Sequence, residues 1–142
     1  MKVQKLRPDA KLPQYMTPDS VGLDLSAALD EALVLAPRER KLVPTGIAVE
    51  LPPGHEGQVR PRSGIASRHG VTCLNSPGTI DPDFRGELKV LLVNLGDQPV
   101  TIRSGERIAQ LVVAPVTRVL VQEVVELSDT TRGAGGFGST GT

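Results

Sequence analysis

Glu87-Leu88-Lys89-Val90-Leu91-Leu92-Val93-Asn94 reads as a buried strand, and Leu95-Gly96-Asp97-Gln98 as the loop that ends it. Val100 to Arg103 and Arg107 to Ala114 read as two more strands around the turn Ser104-Gly105-Glu106. Each apolar run has strand length, and none keeps the i, i+3, i+4 spacing of a helix. Working outward, Val43-Pro44-Thr45-Gly46-Ile47-Ala48-Val49-Glu50-Leu51-Pro52-Pro53-Gly54 reads as turn, strand, turn. Val116 to Leu127 is rich in Val and Leu and continues the strand pattern. One short helix is expected near Ser63 to Arg68. Many short strands with Gly/Pro turns predict an all-β sandwich or jelly roll. The domain is expected to span 1–128, leaving a flexible Gly-rich arm at 129–142.

Composition narrows the classes. A chain of 142 residues makes one domain with one core. Sixteen basic residues balance sixteen acidic ones, which disfavours a general nucleic-acid or membrane surface. Met1 to Arg7 lacks an apolar signal region, and no run is long enough to span a membrane; a soluble, cytoplasmic protein is the expectation. Cys73 is the single cysteine, so no intrachain disulfide can form. Its flanks, Thr72 and Leu74, suggest a buried thiol. The chain has no Trp, two Phe and one Tyr. The core must therefore rest on Val, Leu, Ile and Ala, and Phe84 and Phe137, set among Gly, Asp and Arg, look like ligand contacts.

Polar residues cluster inside this apolar pattern. In Gly22-Leu23-Asp24-Leu25 the acid alternates with leucines. Facing inward it needs a cation or hydrogen-bond donors; facing out it is an ordinary solvated strand-end residue. Pro61-Arg62-Ser63-Gly64-Ile65-Ala66-Ser67 reads as a turn entering a helix. There Ser63 is either a simple cap or part of a phosphate site, and Arg60 and Arg68 read as solvated charges. Asn75 to Glu87 reads as a strand, a tight turn and a return strand, with Asp81 ending the first strand. An Asp in a turn is commonplace, but Phe84 there is harder to explain by turn chemistry. In Arg107-Ile108-Ala109-Gln110-Leu111, alternation places Gln110 with Ile108 and opposite Arg107.

The chain ends Arg132-Gly133-Ala134-Gly135-Gly136-Phe137-Gly138-Ser139-Thr140-Gly141-Thr142. Such a segment buries too little to fold alone. It carries a guanidinium for phosphate, a ring for stacking and glycines that admit an anion to the backbone. Gly133 to Gly138 fits the dinucleotide pattern G-x-G-x-x-G, but no helix can follow it. The P-loop pattern fails as well, because Ser139 stands where its Lys is needed.

Together, in order, these five segments resemble the motifs of the trimeric dUTPase family (deoxyuridine triphosphate nucleotidohydrolases). The match runs from about Gly22 to Thr140. The resemblance implies a jelly-roll homotrimer whose three active sites are shared between subunits, each closed by a neighbour's tail. It implies hydrolysis of dUTP to dUMP and pyrophosphate, limiting uracil incorporation into DNA and supplying dUMP for dTMP synthesis. It implies that Asp81 is the general base for a water attacking the α-phosphorus. Asn75, Gly78 and Ile80 would read uracil, Phe84 would lie under the deoxyribose where most relatives carry Tyr, and Phe137 would cover the base. Arg62, Ser63, Gly64, Gln110, Arg132, Ser139 and Thr140 would contact phosphates. Asp24 would orient Mg²⁺ through water, the ion being held chiefly by the triphosphate. The rival readings are a dCTP deaminase-like relative, which needs a further acid/base residue, and a non-catalytic nucleotide-binding signalling protein.

Overall fold

A computed structural model describes residues 1–139 and 141. Ten strands and one helix follow in order: β1 (Lys2–Lys5), β2 (Leu23–Ser26), β3 (Leu33–Leu35), β4 (Arg40–Glu50), β5 (His55–Pro61), α1 (Ser63–His69), β6 (Val71–Cys73), β7 (Gly78–Ile80), β8 (Glu87–Asn94), β9 (Val100–Ile102) and β10 (Arg107–Pro115). One four-stranded sheet has the order β1-β4-β8-β6, and a second has β2-β10-β5-β7. A small pair, β3-β9, completes the set. All the pairings are antiparallel. The chain repeatedly crosses between sheets, as a jelly roll requires.

The core lies between the two large sheets. Leu25, Leu35, Val43, Ile47, Leu88, Leu92, Ile108 and Leu111 are almost wholly buried in it. No aromatic ring belongs to this cluster, while Tyr15, Phe84 and Phe137 are all exposed. Aliphatic side chains thus fill the interior, as the composition demanded. Cys73 is buried among them, and burial pushes its thiol up to about 11.

Strand β4 corrects one expectation. Pro44-Thr45-Gly46 is not a turn before a strand but a break in register within one long strand. Gly46 has φ +68°, and a Cβ there would lie 2.8 Å from that of Ala10. Its freed N–H donates to Glu87 Oε1 at 2.8 Å, so the irregularity is satisfied rather than frayed. A second correction concerns Asn75 to Glu87. This segment is no hairpin: β7 pairs with β5 in one sheet, whereas β8 pairs with β4 and β6 in the other. Residues 81–86 therefore form a crossing loop between sheets.

A third correction lies after β10. Residues 116–127 belong to no strand, and Leu120, Val121, Val125 and Leu127 are almost fully exposed. An apolar run forms a strand only where it has an edge to pair with, and within one chain this one finds none. No helix of the described residues is long and apolar enough to cross a membrane.

Candidate functional site

Asp24 sits in β2, whose four residues are all buried. It is 5% exposed, so the solvated reading fails. A carboxylate there must be compensated, and three side chains do so. Arg107 Nη1 donates to Oδ2 at 2.8 Å. Gln110 Nε2 donates to Oδ1 at 3.2 Å. Arg62 Nε lies 3.4 Å from Oδ1, and Arg62 Nη1 donates to the Arg107 carbonyl at 3.1 Å. Two guanidiniums face one carboxylate, leaving a net positive charge on the wall of a cavity of about 810 Å³. Lys11 and Arg68 line the same cavity. Such a wall suits an anion with several oxygens.

Register explains how these groups converge. Gln110 pairs directly with Asp24 across β10 and β2. Plain alternation would turn Arg107 to the opposite face, since it is an odd number of residues away. A bulge between Arg107 and Ala109 sets Ile108 in excess against Ser26 and Leu25, which re-aims Arg107 onto the Asp24 side. Arg107 is the member of this cluster that sequence reasoning missed. Gly22 also contributes, because a Cβ there would lie 3.0 Å from Gln110 Oε1. Its bare backbone makes room for the Gln110 amide.

Helix α1 begins beside this cluster. Its N-cap is Arg62, which makes no side-chain cap bond. Ser63 is the first helical residue and exposed, so it is not the cap. Gly64 lies beneath the Arg68 guanidinium, about 3.4 Å from where a Cβ would be.

Asp81 occupies a different place. It follows β7, is exposed, and makes no ion pair or side-chain hydrogen bond among the described residues. With Asp83, Glu50, Glu56 and Arg85 it lines a second cavity, of about 790 Å³. Asn75 packs its amide over Gly78, where a Cβ would come within 3.3 Å of Nδ2. Ile80 is half-buried and pairs with Gly57 of β5. Phe84 is 41% exposed, and its N–H donates to the Asp81 carbonyl at 3.2 Å.

The two groups lie at opposite edges of one sheet. Strands β2 and β7 are the outer strands of β2-β10-β5-β7, three strand spacings or about 14 Å apart. Asp24, Arg62 and Gln110 thus come together, while on the β7 side Asn75 meets Gly78 and Asp81 meets Phe84, with Ile80 between the two pairs in the chain. The described residues of the tail join neither group. Arg132 Nε donates to its neighbour Gly135 O at 2.7 Å, and Ser139 N–H to Gly136 O at 3.0 Å. Phe137 is fully exposed. Thr140 lies outside the described residues. Among those residues, no group of three or more His, Cys, Asp or Glu side chains is placed to hold a metal ion.

The dUTPase family model matches residues 8–141. The deoxyuridine 5′-triphosphate nucleotidohydrolase of Rhizobium leguminosarum bv. trifolii is 62% identical over 92% of this chain and 85% of its own. The enzyme of that name from an Anaeromyxobacter species is 59% identical over 99% of this chain and 94% of its own. The dUTPase of Staphylococcus bacteriophage 80alpha, solved with dUPNHPP, superposes with a TM-score of 0.84 at 29% identity, covering 99% of this chain and 98% of that one.

Proposed function

This chain belongs to the dUTPase family, and from that premise we propose that it hydrolyses dUTP to dUMP and pyrophosphate through a site assembled between three copies. The observation that carries the shared site is the division just described. A basic cluster fit for phosphates and an exposed carboxylate fit for proton transfer stand at opposite edges of one sheet. Two copies, one offering each edge, supply what a single chain separates.

Each side chain then has a task. Arg62, Gln110, Ser63 and Gly64 bind the triphosphate, with Arg107 and Asp24 holding Arg62 and Gln110 in place. Asp81, exposed and without an ion pair among the described residues, accepts a proton from the water that attacks the α-phosphorus. Asn75, Gly78 and Ile80 receive the uracil. Phe84 lies under the deoxyribose, where a 2′-hydroxyl would clash. Residues 129–142 close the site, with Arg132, Ser139 and Thr140 on phosphate and Phe137 stacked on the base. Exposed Leu120, Val121, Val125 and Leu127 are the surface that carries this arm onto a neighbouring copy.

Mg²⁺ fits as a substrate-borne ion. Both Asp24 oxygens already face donors, so this carboxylate would help hold the ion only through water, with phosphate oxygens as its main ligands. When bound, the ion would supply charge neutralisation at the leaving pyrophosphate.

The test is pyrophosphate release from dUTP, dCTP, dTTP and UTP, measured separately with Mg²⁺. Release from dUTP alone is expected. Release from none of them by folded protein sinks the proposal, and ammonia release from dCTP would replace it with deamination.

A further inference from the structure

Gly86 has no side chain, yet the space for one is already filled. A Cβ built there would lie 2.6 Å from Phe84 Cζ and 2.9 Å from Cε2. Non-bonded carbons settle at about 3.5–4.0 Å, so the far edge of the ring rests directly on the Gly86 backbone. The near end is held as well. Arg85 Nη1 donates to Pro82 O at 2.7 Å and to Phe84 O at 3.0 Å, tying the Pro82–Arg85 turn. The ring is otherwise half open to solvent and belongs to no core cluster. Its orientation therefore depends on one short backbone segment.

We propose that Gly86 is a positioning residue for sugar selection: it seats the Phe84 ring and so sets the depth of the pocket that separates deoxyribonucleotides from ribonucleotides. This rests on the reading above that Phe84 lies under the deoxyribose. Gly86 is not at a positive φ, so alanine meets no backbone strain there. The added methyl has only the tip of an exposed ring to push. The cost falls on where the ring sits, by about 1 Å to regain contact distance, and not on the fold.

The experiment compares Gly86→Ala, Phe84→Ala and the double variant, reading kcat/KM for dUTP and for UTP and the melting temperature of each. Gly86→Ala is expected to melt as the parent does. It is expected to lower the dUTP/UTP ratio roughly ten-fold, the scale of one methylene in a specificity pocket, mainly through KM. In the Phe84→Ala background it should change the ratio no further. If Phe84→Ala lowers the ratio while Gly86→Ala does not, the seat is refuted and the sugar reading stands. If Phe84→Ala leaves the ratio intact, the sugar reading falls and takes this proposal with it. A Gly86→Ala effect that persists without the ring, or a large drop in melting temperature, also overturns it.

Discussion

Asp24 and Asp81 are the same side chain, one within a sheet and one just beyond its far edge strand, and they live in opposite surroundings. Asp24 is buried on β2, with two arginines and a glutamine around it. Asp81 is exposed beyond β7, on a loop, with no cation paired to it. Burial with compensation makes a carboxylate a scaffold: its charge is spent on holding Arg62, Arg107 and Gln110. Exposure without a partner leaves the oxygens of a carboxylate open to a water molecule. The difference teaches that environment, not residue type, assigns the roles, and it is open to direct attack.

The largest expected effect is at Asp81. Asp81→Asn should keep nucleotide affinity and melting temperature but lose about 10²–10⁴ in turnover, the scale of general-base catalysis. Near-normal kcat would end its assignment as the base. Removing residues 129–142 should leave an assembly of unchanged copy number and melting temperature with little activity; sedimentation alongside a pyrophosphate assay checks both, and a fully active truncation would refute closure by the arm. Asp24→Ala sharpens the contrast from the other side. It leaves two partly solvated guanidiniums without their carboxylate, and thermal or denaturant unfolding should show a loss of about 1–3 kcal/mol. A loss below 1 kcal/mol would mean the pair is solvated after all.

Smaller effects test the periphery. Phe137→Ala should weaken dUTP recognition by about 1–3 kcal/mol, as for loss of base stacking, with no change in stability. Equal kcat/KM for the two proteins would remove the stacking role. Cys73 yields a pH signature. Its unfolded value is 9.0 and burial raises it to about 11, so the folded state holds a proton that the unfolded chain releases. Stability is untouched below pH 9 and falls as pH rises from there to about 11, by ~2–3 kcal/mol at full deprotonation. Cys73→Ala should lack this component; parallel pH profiles for the two proteins would contradict it.

Strands with dense apolar patterns were legible. Residues 87–94 and 107–114 match β8 and the body of β10, and the helix at Ser63 falls where expected. Strand β5 was not, because His55–Pro61 offers only Val59 as an apolar residue. Its place between β10 and β7 depends on Gly57, whose missing side chain admits Ile80, Leu111 and Leu51. The apolar run 116–127 misled in the opposite direction: it has strand composition but no strand partner within the chain.

The sequence by itself determined the class of the fold, the aliphatic core and most of the polar groups at the candidate site, since these follow from residue type and short-range spacing. It could not determine which groups meet. Arg107 joins Asp24 only because a bulge inserts one residue into β10 and reverses its facing. Asp81 and Asp24 are separated only because β7 and β2 occupy opposite edges of one sheet. Pairing between strands distant in the chain is a long-range property, set by how two sheets close over a shared core, and no local pattern encodes it.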